Sequence, residues 1–378
     1  MKILHILSGM GVKDGGTSSC TYAVLKGLRN NNINAEVLCY EPLENDKLIG
    51  NETFVKTVPY SNRNKILYSN NFKKALIACQ NTSLYHINGL WQYPSIITAI
   101  VAREKKCPYI ISPHGMLYPQ ALQKSKWLKK AVYHFFLKKD LKNAAVIHAT
   151  SHEELQHIRN MGIDNPIAII PNAIELKTLL EQPILSKNII KFGYLGRVHP
   201  RKKIETLLYV WAKLGDMVKD AELVIIGSGD DVYLEFLQQE TLRLHLKNVV
   251  FTGFLTGVAK DEKISSLSFL AVPSDFENFG MIVVEALALG IPVIASKGTP
   301  WQELESHNCG WWIANDVDTF YKFFEKALQL SDAERLAMAE NGRKLIKEKY
   351  DSPIVAQKMA QLYNWVLNKG EKPDFVYE

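Results

Sequence analysis

The segment Pro273–Ser296, with the sequence PSDFENFGMIVVEALALGIPVIAS, decides the architecture of this chain. It consists of the end of an apolar strand, a polar turn, an apolar helix, a glycine stop and a second apolar strand. Asn278 and Gly280 mark the start of the helix, and Gly290, with Pro292 just beyond it, marks the end. A buried strand, a helix and another buried strand in this order indicate a parallel α/β sheet.

Two carboxylates lie eight positions apart in this segment, Glu277 in the turn and Glu285 in the helix. The neighbours of Glu285 are apolar, so an unpaired charge there would be costly and we expect it to meet a polar group. Eight helical steps separate two residues by about 12 Å. The carboxyl groups of a retaining glycosidase lie only about 5 Å apart. The spacing therefore favours two contacts with one elongated ligand over a hydrolytic pair.

The start of the same helix predicts an anion site. The backbone N–H groups near Phe279, Gly280 and Met281 open the helix, and such groups favour negative charge. Carboxylates that bind hydroxyls, beside a helix start that binds phosphate, together indicate a nucleotide sugar as the ligand.

The text around Glu277 and Glu285 resembles the E-x7-E signature of the retaining GT-B glycosyltransferases of family 4 (GT4), and the resemblance covers nearly the whole chain. It implies an α/β fold of two Rossmann-like, doubly wound domains facing a central cleft. It also implies a UDP- or GDP-sugar donor, no metal cofactor, and a glycan or lipid-linked glycan acceptor. The segment Gly298–Leu304 further resembles enzymes that assemble bacterial surface polysaccharides such as O-antigen and capsule.

The length of 378 residues independently predicts two domains, and the pattern of strands and helices restarts near Ile189. We expect residues 1–180 to form an acceptor-binding domain and residues 190–350 a donor-binding domain, with a linker near 174–188. The sequence Tyr350–Pro353 breaks the pattern before a final helix. The resemblance implies that residues 351–378 cross back onto the first domain.

Composition predicts an ordinary globular protein, at 47% hydrophobic and 22% charged residues. The apolar run Lys2–Leu7 is too short for a signal peptide, and no apolar run approaches the ~18 residues of a membrane span. The five cysteines are scattered and odd in number, so we expect reduced thiols that fill the core.

A glycine-rich turn follows the first strand, and Gly15 and Gly16 lie within it. Such a turn can bind phosphate through its N–H groups, although a merely flexible turn is the alternative. The resemblance implies that both glycines approach the donor phosphates and the acceptor.

Two further motifs, His86–Trp91 and Ser112–Leu117, each follow an apolar strand and are expected at its carboxyl end. His114 corresponds to the family's active-site histidine, which contacts the transferred sugar. Asn88 and Trp91 are candidate contacts for the acceptor.

The charge of the chain is uneven. Its net charge is +6, and basic residues outnumber acidic ones only in the first half. Residues 124–142 are rich in lysine, with apolar residues at helical spacing. They predict a surface helix whose apolar face packs into the core, or one attracted to an anionic membrane, and both can hold at once. We therefore expect a location in the cytoplasm, or at the inner face of the cytoplasmic membrane. No zinc-finger, RRM or helix-turn-helix pattern supports nucleic-acid binding.

In the second half, Arg197 and Lys202 match the family's R-x4-K pair, which holds the donor diphosphate. Fixed cations are suited to that task because glycosyl transfer builds negative charge on the departing phosphate. Lys203 occupies a position where the family usually has glycine, so we expect a different local turn. A solvated basic segment is the alternative interpretation.

Glycine turns after two later strands place Gly227, Gly253 and Phe254 beside the nucleotide, again by resemblance. The sequence Asp316–Asp318 is similar to a metal-binding DxD motif, but its position predicts a helix cap. We therefore expect no metal site.

The resemblance assigns Glu285 to the ribose and Glu277 to the sugar hydroxyls. His114, Arg197, Lys202 and Glu277 are then the catalytic candidates, and the donor also meets Asn278 and the N–H groups of Phe279, Gly280 and Met281. No protein nucleophile is evident, which fits front-face attack assisted by the leaving phosphate. The alternatives are a non-catalytic nucleotide-sugar-binding scaffold, and a GT-B epimerase or phosphorylase.

Overall fold

A computed structural model of the protein describes residues 1–50, 52–59, 66–123, 125–176 and 189–378. The chain divides into two compact units. Unit 1 comprises Met1–Ile174 together with Asp351–Glu378, and unit 2 comprises Glu175–Tyr350. Most of the linker expected near 174–188 lies outside the described residues.

Strands and helices alternate along the first segment of unit 1. Its strands are β1 (Lys2–Gly9), β2 (Asn34–Tyr40), β3 (Val55–Val58), β4 (Leu84–Asn88), β5 (Tyr109–Ser112), β6 (Val146–Ala149) and β7 (Ile167–Ile169). Its helices are α1 (Gly16–Asn30), α2 (Asn70–Ala78), α3 (Tyr93–Glu104), α4 (Pro119–Gln123), α5 (Lys126–Val132), α6 (Lys138–Lys142) and α7 (His152–Asn160). A π-helical turn, Tyr133–Leu137, joins α5 to α6.

Unit 2 repeats this alternation. Its strands are β8 (Lys191–Leu195), β9 (Glu222–Ile226), β10 (Val249–Gly253), β11 (Phe269–Val272), β12 (Val293–Ser296) and β13 (Gly310–Ile313). Its helices are α8 (Ile204–Leu214), α9 (Asp231–Arg243), α10 (Gly257–Ser265), α11 (Met281–Ala288), α12 (Glu303–Ser306), α13 (Val317–Gln329) and α14 (Asp332–Lys349). The chain then returns to unit 1 through α15 (Ser352–Val366) and β14 (Val376–Tyr377).

Each unit contains one sheet in the described residues. The strand order in unit 1 is β14-β7-β6-β5-β4-β1-β2-β3, and only β14 is antiparallel to its neighbour. The order in unit 2 is β10-β9-β8-β11-β12-β13, and all its pairs are parallel. Both orders reverse direction at the first strand of the unit, so both sheets are doubly wound, as predicted.

The opening segment forms the predicted helix, Met281–Ala288, between the parallel strands β11 and β12. Strand β3 was not predicted. Strand β3 lies at the edge of its sheet, and its alternating Val-Lys-Thr-Val sequence is too short to stand out from the surrounding turns. The cysteines are free and four of the five are buried, which confirms the prediction of core thiols.

The final helix α15 packs against α1 in unit 1. Gly27 makes this close approach possible, because a Cβ atom there would lie 2.6 Å from both the Ser352 carbonyl oxygen and the Ala356 Cβ. Helix α15 also carries buried apolar side chains, including Met359 and Tyr363, into the core of the unit.

The lysine-rich segment is helical, but its apolar face was predicted incorrectly. Trp127 is 81% exposed and Phe135 is 73% exposed, and Leu128 and Phe136 are exposed as well. Only part of the segment packs inward, including Val132 and Leu137. The side chains of Trp127, Phe135 and Phe136 therefore do not pack into the core. Within the described residues, no helix is both long and apolar enough to cross a membrane.

Candidate active site

In unit 2, glycine turns end the first three strands and pack backbone against backbone. Gly227 has φ +144°, and a Cβ atom there would lie 1.9 Å from the Gly196 carbonyl oxygen. The Gly227 N–H group donates to the Gly253 carbonyl at 2.9 Å. Gly253, at φ +74°, has open space where a Cβ would stand, and Phe254 beside it is exposed. Ligands of open parallel sheets bind at this carboxyl edge.

Lys202 and Glu277 form an ion pair, and their side chains are only 14% and 13% exposed. The Ser274 hydroxyl donates a second hydrogen bond to Glu277 at 2.8 Å. Arg197 follows β8 and is exposed, and its guanidinium has no hydrogen-bond or ion-pair partner within the described residues. The structure thus brings Lys202 and Glu277 together and leaves the guanidinium of Arg197 available to a ligand.

Helix α11 begins after Gly280, which has a left-handed backbone at φ +78°. The first N–H groups of a helix have no partner within it. The Phe279 side chain is buried against Trp301 and Tyr350, so only its backbone is available to a ligand. The indole N–H of Trp301 donates to the Phe279 carbonyl at 2.5 Å and fixes the turn that presents Met281.

The polar partner expected for Glu285 is Lys260 on α10, at 3.0 Å. Burial lowers the pKa of Lys260, but the charge and hydrogen bond of Glu285 outweigh this and raise the pKa above its ordinary value. Sequence reasoning missed Lys260, because a lysine in the polar helix Gly257–Ser265 has no feature that links it to Glu285.

The segment Gly298–Leu304, which resembles surface-polysaccharide enzymes, and the adjacent Ser296 stabilise the turn that contains Glu277. The Glu277 N–H group donates to the Gly298 carbonyl at 2.8 Å. The Ser296 hydroxyl donates to the Ser274 carbonyl at 2.5 Å. A Cβ atom at Gly298 would lie 2.4 Å from that same carbonyl oxygen, so the two turns need glycine to pack this closely.

Two local expectations have clear outcomes. Lys203 adopts a left-handed backbone, with φ +52° and ψ +40°. The left-handed conformation that suits glycine is therefore adopted by a lysine at this position. Asp316 accepts a hydrogen bond from the Thr319 N–H group at 2.7 Å and caps α13, which confirms the predicted helix cap.

In unit 1, the ends of β4 and β5 bring His114 and Asn88 together. The His114 Nε2 atom lies 3.1 Å from the Asn88 Oδ1 atom. His114 and Trp91 both have positive φ, at +50° and +68°. Within the described residues, the buried His114 Nδ1 and Trp91 Nε1 atoms have no hydrogen-bond partner. An unmet acceptor and an unmet donor are suited to hydroxyl groups of a ligand.

The amide of Asn88 is occupied within the protein. Its Nδ2 atom donates to the carbonyls of His86 and Ile6 at 3.3 and 3.4 Å, and its Oδ1 atom faces His114. The sequence suggested that Asn88 contacts the acceptor. These contacts instead leave its side chain poorly placed to bind an acceptor directly. They favour a role in orienting His114.

The glycine-rich turn of unit 1 is exposed at Gly15 and Gly16, where α1 begins. Gly15 has φ +90°. The carboxylate of Asp14 accepts from the Gly11 N–H group at 2.7 Å and holds the turn in place. The Ser18 hydroxyl donates to the Gly9 carbonyl at 2.9 Å.

Glu154 is a buried supporting residue that sequence reasoning missed. Its carboxylate accepts from the Gly115 N–H group at 2.5 Å, and from the N–H and hydroxyl groups of Thr150 at 2.8 Å each. Burial raises the pKa of Glu154, and these three hydrogen bonds oppose the increase. The loop after His114 is thereby tied to α7. Glu154 follows the capping serine Ser151 by three residues, so its sequence predicts only a helix cap.

Burial keeps the site histidine neutral. Burial, together with smaller contributions from His148 and His5, lowers the pKa of His114 to about 3. Within the described residues, no group of three or more His, Cys, Asp or Glu side chains is arranged to hold a metal ion.

The two Rossmann-like units, each with glycine turns and charged groups at strand ends, define the GT-B class of glycosyltransferases. Family models agree: Glycosyltransferase Family 4 matches residues 14–178, and Glycosyl transferases group 1 matches residues 178–345. The chain belongs to these GT4-type glycosyltransferases.

The chain is similar to several known proteins. It is 30% identical over 177 residues to a GDP-mannose-dependent alpha-mannosyltransferase of Mycolicibacterium smegmatis, covering 47% of this chain and 44% of that protein. It is 26% identical over 274 residues to an uncharacterized 41.2 kDa protein in the cps region of Klebsiella pneumoniae, covering 69% and 72%. The chain spans about half the length of most of the curated relatives it matches.

Solved structures show the same fold. HepE of Anabaena, crystallised in complex with UDP and glucose, superposes with a TM-score of 0.74 at 18% identity. The alignment covers 97% of this chain and 100% of that chain. At this level of identity the similarity establishes the fold.

Proposed function

We propose that this protein transfers a sugar, with retention of configuration, from a UDP- or GDP-sugar to a glycan or lipid-linked glycan of a bacterial surface polysaccharide. The observation that carries the proposal is the nearly buried Lys202–Glu277 ion pair, close in sequence to the open N-terminus of α11. A cation, a carboxylate and free N–H groups are the chemistry that a sugar diphosphate requires.

Each charged group of unit 2 has a role in this proposal. Arg197 and Lys202, with the N–H groups of Phe279, Gly280 and Met281, stabilise the departing diphosphate. Glu277 accepts from sugar hydroxyls and Glu285 from the ribose. Lys202 and Lys260 already partner these carboxylates, so both carboxylates are oriented before the donor arrives. Asn278 and the exposed Phe254, with Gly227 and Gly253, complete the nucleotide contacts.

Unit 1 supplies His114, whose unmet Nδ1 atom accepts from a hydroxyl of the transferred sugar, and Trp91, whose unmet indole N–H donates to the acceptor. Gly15 and Gly16 leave room for the donor phosphates and the acceptor. The leaving phosphate takes the acceptor's proton, so the reaction needs no nucleophile from the protein. Arg197 and Lys202 supply the positive charge that a metal ion would otherwise provide to the diphosphate.

The donor is defined by a panel of nucleotide sugars. The relative that uses GDP-mannose and the neighbour solved with UDP support testing both bases. Purified protein is incubated with UDP- and GDP-sugars and lipid-linked acceptors, and released nucleotide and anomeric configuration are measured. Lys202→Met and Glu277→Gln are expected to abolish turnover. Donor binding without turnover on any acceptor would instead identify a nucleotide-sugar-binding scaffold, and an inverted product would exclude retention.

The similarity to a protein of a capsule gene region supports a surface-polysaccharide acceptor. An acceptor on a lipid carrier would place the enzyme in the cytoplasm at the inner face of the membrane. The segment 124–142 fits such a surface, because exposed Trp127 and Phe135 stand among exposed lysines on the helix Lys126–Lys142. Lys129 lies over the ring of Trp91 at 5.4 Å, which connects this helix to the proposed acceptor side.

Liposome binding tests the membrane proposal. Changing Lys130, Lys138 and Lys139 to Ser removes three exposed charges from the helix, each worth about 1 kcal/mol near anionic lipid. The variant should be released from anionic liposomes at low salt. The matched control changes three other exposed lysines of unit 1, Lys73, Lys74 and Lys105, to Ser and should stay bound. Equal retention of both variants would exclude the helix as the contact.

A further inference from the structure

A chain of hydrogen bonds runs through the interior of unit 1 and ends at His114. Its side chains are well buried except for the half-buried His114, and they come from β1, β4, β5, β6, α15 and the loop after β5. In order from the far end they are His148, Ser112, His86, Tyr363, His5, Asn88 and His114. Each member has a limited number of protons, so the direction of every bond can be derived.

The direction is set at the Ile170 carbonyl, which can only accept. His148 Nε2 lies 2.8 Å from this oxygen and must carry the proton. Burial lowers the pKa of His148 to about 4, so the ring is neutral and its Nδ1 atom accepts. The Ser112 hydroxyl donates to that Nδ1 atom at 2.7 Å. Its oxygen therefore accepts from Nε2–H of His86 at 2.6 Å.

The same reasoning continues to the other end. Burial holds the pKa of His86 well below its ordinary value, so its Nδ1 atom accepts from the Tyr363 hydroxyl at 2.6 Å. The Tyr363 oxygen then accepts from Nε2–H of His5 at 3.0 Å. Burial lowers the pKa of His5 to about 3, which leaves its Nδ1 atom to accept from the Asn88 amide at 3.4 Å.

An independent anchor gives the same orientation of Asn88. Its Nδ2 atom also faces the carbonyls of Ile6 and His86, and only the amide nitrogen can donate to them. The Asn88 oxygen is thereby turned toward His114, whose Nε2 atom must donate. With its proton on Nε2, His114 has a bare lone pair on Nδ1, the buried atom without a partner.

We propose that this hydrogen-bond chain fixes His114 as the neutral Nε2–H tautomer and so reserves its Nδ1 lone pair for a substrate hydroxyl, with Asn88 as the positioning residue. The substrate hydroxyl rests on the proposed transferase function. Tyr363 of α15 joins His5 to His86 in the hydrogen-bond chain. The return of the polypeptide into unit 1 through α15 therefore contributes to this hydrogen-bond chain as well as to the core.

A cavity of about 20 Å³ adjoins the chain and is lined by His5, His86, His148 and His114 among others. It has room for about one water molecule and is too small for a sugar.

Histidine ¹⁵N NMR of the full-length protein tests the tautomers without any turnover. Neutral Nε2–H and Nδ1–H imidazoles have distinct ¹⁵N shifts. We expect His5, His86, His114 and His148 each to show a single Nε2–H form at pH 7.5. A His114 ring protonated on Nδ1 would overturn the proposal.

Asn88→Leu removes the acceptor that faces Nε2 of His114 and keeps a side chain of similar size. We expect a detectable Nδ1–H fraction at His114 and a kcat about fivefold lower, as for loss of one hydrogen bond. KM for the donor should change less than about twofold. The matched control, Tyr85→Phe, removes a buried hydroxyl of β4 outside the hydrogen-bond chain and should change neither tautomers nor kcat. An unchanged His114 tautomer in Asn88→Leu would also overturn the proposal.

Titration with UDP-glucose and with GDP-mannose separates this proposal from the proposed function. The bare Nδ1 resonance of His114 should shift with a probe that is turned over. Turnover of a probe that leaves this resonance unmoved would overturn the hydroxyl assignment alone. Correct tautomers in a protein that turns over no donor would support the internal chain while refuting the transferase function.

Discussion

Gly227 and Gly253 offer the sharpest test of the unit 2 site, because both have positive φ but very different surroundings. A Cβ atom at Gly227 would lie 1.9 Å from the Gly196 carbonyl oxygen, whereas one at Gly253 meets no atom within 4 Å. Alanine at the two positions therefore separates a packing requirement from a ligand-binding requirement.

The two substitutions should differ in their effect on stability. Gly253→Ala incurs only the left-handed backbone cost of roughly 1–2 kcal/mol. Gly227→Ala places a side chain on a backbone with φ +144°, a strain worth about 1–3 kcal/mol. It also displaces Gly196 and breaks the hydrogen bond to the Gly253 carbonyl. The total loss of unfolding free energy should be about 4 kcal/mol or more. At about 2–4 °C per kcal/mol, Tm of unit 2 should fall by roughly 2–8 °C in Gly253→Ala and by more than about 8 °C in Gly227→Ala.

Nucleotide affinity should be lowered chiefly in Gly253→Ala, the variant that loses less stability. The Cβ atom of Gly253→Ala enters the open space that we assign to the nucleotide, so affinity for UDP or GDP should fall about tenfold in a protein that remains folded. Calorimetric unfolding and nucleotide titration measure the two effects. Equal losses of Tm would refute the packing argument, and wild-type nucleotide affinity in Gly253→Ala would refute the placement of the nucleotide.

Two further predictions concern single interactions, and a third concerns pH. Trp301→Phe deletes the indole bond to the Phe279 carbonyl and should weaken nucleotide binding about fivefold in titration calorimetry, whereas Trp312→Phe, which loses a similar bond to Thr299, should not. Glu285→Gln should weaken nucleotide binding about tenfold with little change in Tm, because Lys260 keeps an acceptor; unchanged affinity would contradict the ribose assignment. Acid should destabilise unit 1, because burial lowers the pKa values of His5 and His114 to about 3 and of His148 to about 4. The unfolded chain binds protons first, so stability is full above about pH 6.5 and falls as the pH approaches 4, by up to about 1.4 kcal/mol per pH unit for each histidine. Urea midpoints between pH 7.5 and 5 measure this, and a flat profile for unit 1 would contradict it.

Local patterns predicted the strands and helices well, because burial of alternate faces repeats at fixed intervals along a sequence. The helix of the opening segment begins at Met281, directly after the glycine that marked its start, and ends at Ala288, shortly before Gly290. The same reasoning failed for the helix Lys126–Lys142, where helical spacing alone could not distinguish an apolar face in the core from one in solvent. Trp127 and Phe135 lie in solvent because nothing in the described part of unit 1 covers them.

The candidate site was predicted only in part. Glu277, Lys202 and His114 carried motifs, and the structure gives each a defined environment. Lys260 and Glu154 carried none, and both bond directly to the turns or carboxylates that the motifs identified. Asn88 was assigned to the acceptor because it ends a strand, but its amide is held by His5, His114 and two carbonyls.

The sequence by itself determined that this protein has two α/β units, where each begins its pattern, and which residues near Glu277 and Glu285 match a glycosyltransferase. Tertiary structure alone decided the partners of those carboxylates and the tautomer of His114. The bond between Tyr363 and His5 joins residues 358 positions apart. No local periodicity encodes such a contact, because it forms only when α15 packs beside β1 and β4 and burial removes water from the polar groups it brings together.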